Sequence, residues 1–290
     1  SVKFSVEEWI YNCLCCDYSK EKAEQFLENS LSSPPVYIRI NHLKENAEDA
    51  FALELSNIGA KLCSTECEDV CLVSGLKGAE GLKSYQNGLF YVQDISSRLA
   101  VKALNSKSGE RVLDCCAAPG GKSFSIALDM QNKGEIVSCD IHPHRVSLIE
   151  KGAKRLGLDI IKPTVCDGLK FNEDLGLFDK VICDAPCSGI GVIRRKPEIK
   201  YKSNEECLSL TEIQYNILNN AARYVKSGGR LIYSTCTLLK RENEGVVDRF
   251  LKANTNFKPV SVFDNGESCV TFMPPQDAGD GFFIAAMERV

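Results

Sequence analysis

The sequence predicts an α/β fold with a largely parallel sheet, preceded by a smaller α/β region and a leading helical segment. From residue 91 onward, short apolar strands alternate with amphipathic helices, which is typical of a parallel sheet covered on both faces. The chain has 290 residues, of which 44% are hydrophobic and 26% charged, so it can bury a sizeable core. Its length corresponds to one large domain and a smaller one.

Residues 1–33 are predicted to be helical, because apolar residues recur there at the spacing of one helix face. Two serines and two prolines at 32–35 end this segment. Residues 34–90 are predicted to form the small α/β region. Its elements are a strand at 36–40, a helix at 49–58 and a strand at 70–73.

Residues 91–290 are predicted to form the larger domain. Its strands are predicted at 111–114, 136–140, 160–166, 180–184 and 230–234, and its helices at 122–130, 145–156 and 207–225. In sheets of this kind, ligands bind beyond the carboxyl ends of the strands. We therefore expect the functional residues in the segments that follow the strands.

Four consecutive strands end in an aspartate or are followed by one: Asp114, Asp140, Asp167 and Asp184. The segment after the first strand is glycine-rich, but Cys116 stands where a phosphate-binding P-loop needs glycine, and the dinucleotide pattern is also missing. A row of carboxylates suits a cationic ligand with many hydroxyl and amino donors. S-adenosylmethionine has this chemistry, and Asp140 is the residue expected to accept hydrogen bonds from its ribose.

Among 15 cysteines, Cys187 and Cys236 are the two that follow strands where substrates bind. If those strands are neighbours, their ends lie about 5 Å apart and both thiols can face one substrate. An odd number of cysteines, spread through predicted core strands, indicates free thiols in an intracellular protein. The spacing of Cys63, Cys67 and Cys71 does not match a zinc site, so no metal is predicted.

The charge of the chain is unevenly distributed. The net charge is -4, but residues 1–90 hold 8 basic and 14 acidic residues, whereas residues 91–290 hold 27 and 25. Basic residues cluster at Arg194, Arg195, Lys196 and Lys200. Such a cluster is a candidate for binding phosphate groups, although many charge runs are only solvated surface. No apolar run approaches the ~20 residues that span a bilayer, so no membrane contact is expected.

Three motifs, in order along the chain, resemble those of a known family. Their sequences are DCCAAPGGKS at 114–123, DAPCSG at 184–189 and STCT at 234–237. Together they resemble the Nop2/Sun family of RNA cytosine-5 methyltransferases, and most of all its bacterial Sun (RsmB) branch, which acts on 16S ribosomal RNA. Three further segments also resemble signatures of this family: YVQDISS at 91–97, RRKPEIK at 194–200 and DGFF at 280–283.

The resemblance implies a Rossmann-like, class I fold that uses S-adenosylmethionine, and an RRM-like, RNA-binding fold for residues 34–90. It implies that the cofactor is contacted by Cys116, Ala117, Ala118, Pro119, Gly120, Gly121, Lys122, Asp140, Asp167 and Asp184. It also implies that Cys236 is the nucleophile and that Cys187 assists product release, two roles that spacing alone does not distinguish. Asp184 is our candidate for a hydrogen bond to N3 of the cytosine.

The resemblance further implies the partners and the cellular setting. The expected partner is RNA, ribosomal RNA first and transfer RNA as the alternative, bound by a cytoplasmic monomer without metal. Arg194, Arg195, Lys196 and Lys200 are expected to hold its phosphates. The Sun branch carries an N-terminal NusB-like RNA-binding domain, of which residues 1–33 correspond to the last helix. Because the chain also begins with Ser1, we expect it to be a piece of a longer protein.

Two other functions stay open. A methyltransferase-like module that binds RNA or ribosomes without turnover is disfavoured by the presence of both cysteines and all four aspartates. A DNA cytosine-5 methyltransferase is disfavoured by Cys236 in its Ser-Thr-Cys motif and by the lack of a target-recognition insertion. Methyl transfer from labelled cofactor to total RNA separates the first of these from an enzyme.

Overall fold

The small α/β region is present in the computed structural model, which describes residues 2–76 and 78–290. Its strands are β1 (Val36–Ile40), β2 (Lys61–Ser64), β3 (Cys71–Ser74) and β4 (Phe90–Val92), and its helices are α3 (Ala47–Asn57) and α4 (Lys83–Gln86). The strands form an antiparallel sheet in the order β2-β3-β1-β4. A β-α-β-β-α-β chain in this order is the arrangement of an RRM-like fold, as predicted.

One face of this sheet is covered by the helices of the region itself. Phe51 and Leu55 of α3 pack with Ile38 and Phe90 of the strands, and all four side chains are fully buried. Alternation along a strand sends neighbouring residues to the opposite face, so Arg39 and Tyr91 lie on the other side.

The other face is covered as well. Arg39 is 1% exposed, and its guanidinium pairs with Asp129 and, at 3.2 Å, with Asp69. Arg98 binds the same two carboxylates at 2.6 Å each. Tyr91 packs edge-on against Phe124, with ring centroids 5.8 Å apart. RRM domains stack bases on this face. Here it is buried by the chain, so RNA binding by residues 34–90 would need another surface.

Residues 95–165 contain three parallel strands and their helices. The strands are β5 (Arg111–Asp114), β6 (Glu135–Asp140) and β7 (Ile161–Val165), and the helices are α5 (Ile95–Leu104), α6 (Gly121–Asp129) and α7 (Pro143–Leu156). β6 pairs in parallel with both β5 and β7. Asp94 begins α5 by accepting a hydrogen bond from the backbone of Ser96, and Gly157, with φ of 73°, ends α7.

The remaining strands and helices lie after residue 167. They are β8 (Phe178–Asp184), α8 (Asn204–Leu208), α9 (Leu210–Ala222), β9 (Val225–Thr235), α10 (Glu244–Ala253), β10 (Phe257–Pro259), β11 (Cys269–Phe272) and β12 (Phe282–Arg289). β8 and β9 are parallel, whereas β12 is antiparallel to β9, β10 and β11. The predicted class, an α/β fold with a largely parallel sheet, is confirmed. The antiparallel strands at the C-terminus were not predicted.

Two helices replace the single leading helix of the prediction: α1 (Glu8–Asp17) and α2 (Lys20–Asn29). Short 3₁₀ turns lie at Val2–Phe4, Glu173–Leu175, Ile190–Val192 and Pro197–Tyr201. Ile10 and Leu14 of α1 are fully buried in one apolar cluster with Ile190, Leu238 and Leu239. The leading helices therefore pack on the segments that follow β8 and β9.

The chain divides into two compact units. One comprises residues 35–167, and the other comprises residues 1–34 together with 168–290. These units have other boundaries than the predicted domains, 1–33, 34–90 and 91–290, since Arg39 and Tyr91 join the small sheet to α6 within the unit of residues 35–167. Their functional assignment stays a prediction. No helix in the described part of the chain combines the length and apolarity needed to cross a membrane.

Candidate active site

The segment after β5 is fixed by hydrogen bonds from its own neighbours. The Ser123 hydroxyl donates to the buried carboxylate of Asp114 at 2.7 Å. The backbone N–H of Ala117 donates to the carbonyl of Cys139 on β6, also at 2.7 Å. The loop predicted to contact a cofactor is therefore held against the carboxyl ends of β5 and β6.

Glycine is required at one point of this loop. Gly120 has φ of 113°, and a Cβ there would lie 2.4 Å from the ring of Phe124. Within the same loop, Pro119 is exposed and the side chains of Cys116 and Lys122 are partly exposed. The backbone therefore turns tightly, while several predicted contact residues stay accessible to a ligand.

Asp140, at the end of β6, is linked to the same loop. Its side chain is 4% exposed, and one carboxylate oxygen accepts the backbone N–H of His142 at 3.0 Å. The other oxygen lies 3.3 Å from Arg145, whose guanidinium also donates to the carbonyl of Ala118 at 2.8 Å. Asp167, predicted to act with Asp140, is partly exposed just after β7. Since β5, β6 and β7 are neighbours, Asp114, Asp140 and Asp167 follow one edge of three adjacent strands.

Cys166 has an unusual thiol. A hydrogen bond from Cys139 lowers the pKa of Cys166 to about 7, although partial burial opposes the shift. The same contact and burial raise the pKa of Cys139. No periodicity or spacing in the sequence marks Cys166 as the more acidic thiol.

The two cysteines predicted to be catalytic are in contact. The sulfur atoms of Cys187 and Cys236 lie 3.3 Å apart. β8 and β9 are paired so that Asp184 lies beside Ser234, and the Ser234 hydroxyl donates to Asp184 at 2.7 Å. β8 and β9 are neighbours, the condition under which the two thiols were expected to lie close together. That both thiols face one substrate stays a prediction. Their chemical roles stay predictions.

The surroundings of Cys187 disfavour its thiolate. Its hydrogen bond with Cys236, its burial and the nearby charges of Glu242 and Asp184 all raise the pKa of Cys187 well above the ordinary value. A thiol that stays protonated is a poor nucleophile but can give or share a proton. The role of Cys187 in the reaction stays a prediction.

Polar side chains that sequence reasoning missed hold the two cysteine loops. Gln214, Glu242 and Asn243 are each fully buried and hydrogen-bond to residues beside Cys187 or Cys236. The hydroxyls of Ser188 and Thr237 join the two loops at 2.8 Å. The sequence carries no clear signal for these residues, since two polar residues directly before an amphipathic helix are usually read as its cap.

The predicted RNA-binding residues are not one exposed cluster. Arg194 donates to the carbonyls of Ser32 and Ser33, which follow α2, and Arg195 pairs with Asp280. Lys200 is 5% exposed, and burial lowers its pKa. Of the four residues, Lys196 is the exposed one, whereas Arg194 and Arg195 are partly buried. Its charge is therefore the one directly offered to a phosphate.

A cavity of about 440 Å³ lies in the unit of residues 35–167. Its lining includes Tyr91, Pro119, Phe124, Leu148 and Arg155. Pro119 and Gly121 of the loop after β5 are part of that lining, whereas Asp114, Asp140 and Asp167 are not. Within residues 2–76 and 78–290, no three His, Cys, Asp or Glu side chains are grouped to hold a metal ion.

Comparison with known sequences places these features in context. Residues 101–288 match the family model described as 16S rRNA methyltransferase RsmB/F. The chain is 39% identical over 298 residues to the probable ribosomal RNA small subunit methyltransferase B of Bacillus subtilis (97% of this chain, 66% of that protein). It is 30% identical to ribosomal RNA small subunit methyltransferase B of Vibrio cholerae (97% of this chain, 64% of that protein). The chain thus spans about two thirds of the length of these curated relatives.

Solved structures show the same fold. The crystal structure of PH0851 superposes with a TM-score of 0.93 at 31% identity, over 99% of this chain and 67% of that one. NSun6 from Pyrococcus horikoshii, crystallised with SFG, has a TM-score of 0.87 at 22% identity, over 98% of both chains. At 22% identity, the similarity to NSun6 is one of fold alone.

Proposed function

The chain belongs to the 16S rRNA methyltransferase RsmB/F family, and we propose that it transfers a methyl group from S-adenosylmethionine to C5 of a cytosine in RNA, with 16S ribosomal RNA as substrate. The observation that carries this proposal is the pair of thiols, Cys187 and Cys236, 3.3 Å apart beside Asp184. Cytosine C5 is too weak a nucleophile to take a methyl group unaided, and one thiol must first add to the ring.

We assign cofactor binding to the loop after β5 and to the aspartates that follow the strands. The residues are Cys116, Ala117, Ala118, Pro119, Gly120, Gly121, Lys122, Asp140, Asp167 and Asp184. Their chemistry fits S-adenosylmethionine, because carboxylates can accept hydrogen bonds from its ribose and amine groups. The Arg145 and His142 contacts hold the Asp140 carboxylate in place for this task. The SFG in the NSun6 structure is an analogue of S-adenosylmethionine, which supports this assignment.

The chemistry then divides between the two cysteines. In the proposal, Cys236 adds as a thiolate to C6, and Asp184 passes a proton to N3, which neutralises the negative charge on the ring, and takes that proton back when the adduct resolves. When bound, S-adenosylmethionine supplies the electrophilic methyl group that C5 attacks. The C5 proton passes to water, its electron pair forms the C5–C6 double bond, and the Cys236 sulfur departs from C6 with the bonding electrons. Cys187, within 3.3 Å of that sulfur and kept as a thiol, assists this departure.

The RNA must also reach the thiols as an unstacked base. We assign phosphate contacts to the segment after Cys187, where Lys196 offers its charge to solvent. Arg194 and Arg195 shape this segment through their bonds to the end of α2 and to Asp280.

Covalent trapping tests the proposal. Cys187→Ala should form the protein–RNA adduct but fail to resolve it, so a band should survive denaturing electrophoresis. Cys236→Ala should abolish both methylation and the band, and so should the double variant, because the nucleophile is missing. Circular dichroism checks that both single variants fold.

Two outcomes would count against the proposal. A band trapped by Cys236→Ala would reverse the roles of the thiols. Methylation of transfer RNA but not of the small-subunit RNA would correct the substrate. Labelled cofactor, offered with each RNA in turn, measures this preference.

A further inference from the structure

Glu242 and Gln214 hold the loop of Cys187 from both sides. One carboxylate oxygen of Glu242 accepts the backbone N–H of Ser188 at 2.9 Å and the side-chain amide of Gln214 at 2.8 Å. The same amide donates to the carbonyl of Pro186 at 3.0 Å. The residues immediately before and after Cys187 are therefore tied to one buried pair of side chains.

Asn243 holds the loop of Cys236 in the same way. Its amide nitrogen donates to the carbonyl of Thr237 at 3.0 Å, and its amide oxygen accepts the hydroxyl of Thr235 at 2.5 Å. These are the residues on either side of Cys236. Two consecutive buried residues, Glu242 and Asn243, thus each hold one cysteine loop.

Burial of polar side chains costs free energy unless hydrogen bonds replace those lost to water. Glu242, Asn243 and Gln214 are all 0% exposed. A buried carboxylate costs free energy that an apolar side chain of similar size would not. The second carboxylate oxygen of Glu242 has no hydrogen-bond partner among the described residues, so the carboxylate is not optimally satisfied for stability. Its bonds converge instead on the Cys187 loop.

We propose that Glu242 and Asn243 are positioning residues, Glu242 with Gln214 for Cys187 and Asn243 for Cys236, and that together they set the separation of the two thiols. The inference rests on the proposed function, since it assigns each residue to the step of the cysteine that it holds. Release of one loop should slow one step and leave the other.

The experiment measures the two steps separately. Rapid-quench assays with RNA and cofactor follow adduct formation, and a chase with unlabelled RNA follows adduct resolution. Asn243→Ala should slow formation at least tenfold. Glu242→Ala and Gln214→Ala should each slow resolution at least tenfold while formation changes less than threefold, so the adduct accumulates.

A conservative variant and a control make the result specific. Glu242→Gln retains an oxygen that can accept both hydrogen bonds, so its resolution rate should stay within threefold of the parent. Glu244→Gln changes the neighbouring carboxylate, which makes no hydrogen bond to either loop among the described residues, and should leave both rates unchanged. Thermal unfolding of each variant shows whether it folds. If Glu242→Ala does not fold, Gln214→Ala tests the same loop.

Three results would overturn the inference. Equal slowing of both steps by Glu242→Ala would indicate a general structural role. A Glu242→Gln rate as low as that of Glu242→Ala would show that hydrogen-bond geometry is not what matters. Parent-like rates in Asn243→Ala would remove its role. Failure of the proposed function looks different, because then Cys187→Ala itself would accumulate no adduct.

Discussion

At the scale of single residues, the environment of each thiol decides its chemistry. Cys166 and Cys187 are both partly exposed and both hydrogen-bonded to another cysteine, yet their pKa values move in opposite directions. Cys166 receives the bond from Cys139, which stabilises its thiolate. The pKa of Cys187 is raised chiefly by its hydrogen bond with Cys236 and by burial, to which the nearby carboxylates of Glu242 and Asp184 add.

The first prediction concerns this contrast. Since the pKa of Cys166 is lowered to about 7, its thiolate forms as the pH rises through that value, and alkylation of Cys166 should accelerate there. Cys187 should react only at higher pH. Mass spectrometry of iodoacetamide-treated protein across a pH series measures both. Cys139→Ala removes the hydrogen bond and should move the Cys166 transition to higher pH. An unchanged transition in this variant would contradict the assigned cause.

The second prediction concerns Asp140. Replacement by alanine should weaken S-adenosylmethionine binding at least tenfold, because charge-assisted hydrogen bonds to the ribose are worth ~1.5–3 kcal/mol. Isothermal titration calorimetry measures the affinity. Asp159→Ala, an exposed aspartate at the beginning of the next strand, is the matched control and should bind normally. Equal affinity of parent and Asp140→Ala would remove this residue from the cofactor site.

At the scale of elements, the sequence predicted those with a strong local pattern. β5 to β8, α6 and α7 are present close to their predicted bounds, since buried runs and helical spacing are local signals. α5 was not predicted, and β9 begins at Val225, earlier than its predicted start at 230. The helix predicted at 207–225 is divided at Ser209. Ser209 and Thr211 hydrogen-bond to the carbonyls of Glu206 and Leu208, and such back-bonding interrupts a helix without disturbing its apolar spacing.

The same distinction applies to the candidate site. Asp184, Cys187 and Cys236 could be predicted because they follow local strand patterns. Glu242 and Asn243 could not be predicted. Glu242 binds Ser188, 54 positions earlier in the chain, and Asn243 binds Thr237 across a loop whose turn the sequence does not specify. The intrachain contacts of the basic cluster could not be predicted for the same reason, because the partners of Arg194 lie more than 160 positions earlier in the chain.

The third prediction belongs to α1. Leu14 is fully buried in the cluster that contains Leu238 and Ile190, so Leu14→Ala should lower the free energy of unfolding by about 2–5 kcal/mol. Chemical denaturation followed by circular dichroism measures the change. Leu31 is 58% exposed, and Leu31→Ala should change the stability little. Similar effects of the two substitutions would contradict the packing of α1 on these segments.

At the scale of the whole chain, a net charge of -4 means that RNA affinity must come from local positive charge. Three of the four predicted phosphate ligands are engaged within the chain or buried. Lys196 is the exposed residue of that cluster.

The fourth prediction follows from this distribution. Lys196→Ala should weaken RNA binding and reduce the slope of log affinity against log salt by about 1. Arg194→Ala should change that slope less and lower thermal stability more, because its guanidinium binds the carbonyls after α2. Fluorescence anisotropy at several salt concentrations gives the slopes. Equal slopes for parent and Lys196→Ala would return this lysine to ordinary solvated surface.

The shared ion pairs of Arg39 and Arg98 bear on how the gene can be shortened. A minimal enzyme that begins at residue 91 would lose Arg39, leave Asp129 with one cation in place of two, and uncover the Tyr91–Phe124 contact. Phe124 also lies against Gly120, in the loop assigned to the cofactor. The small sheet is thus not a detachable module. A protein that lacks residues 1–90 should unfold or lose affinity for the methyl donor, whatever its affinity for RNA.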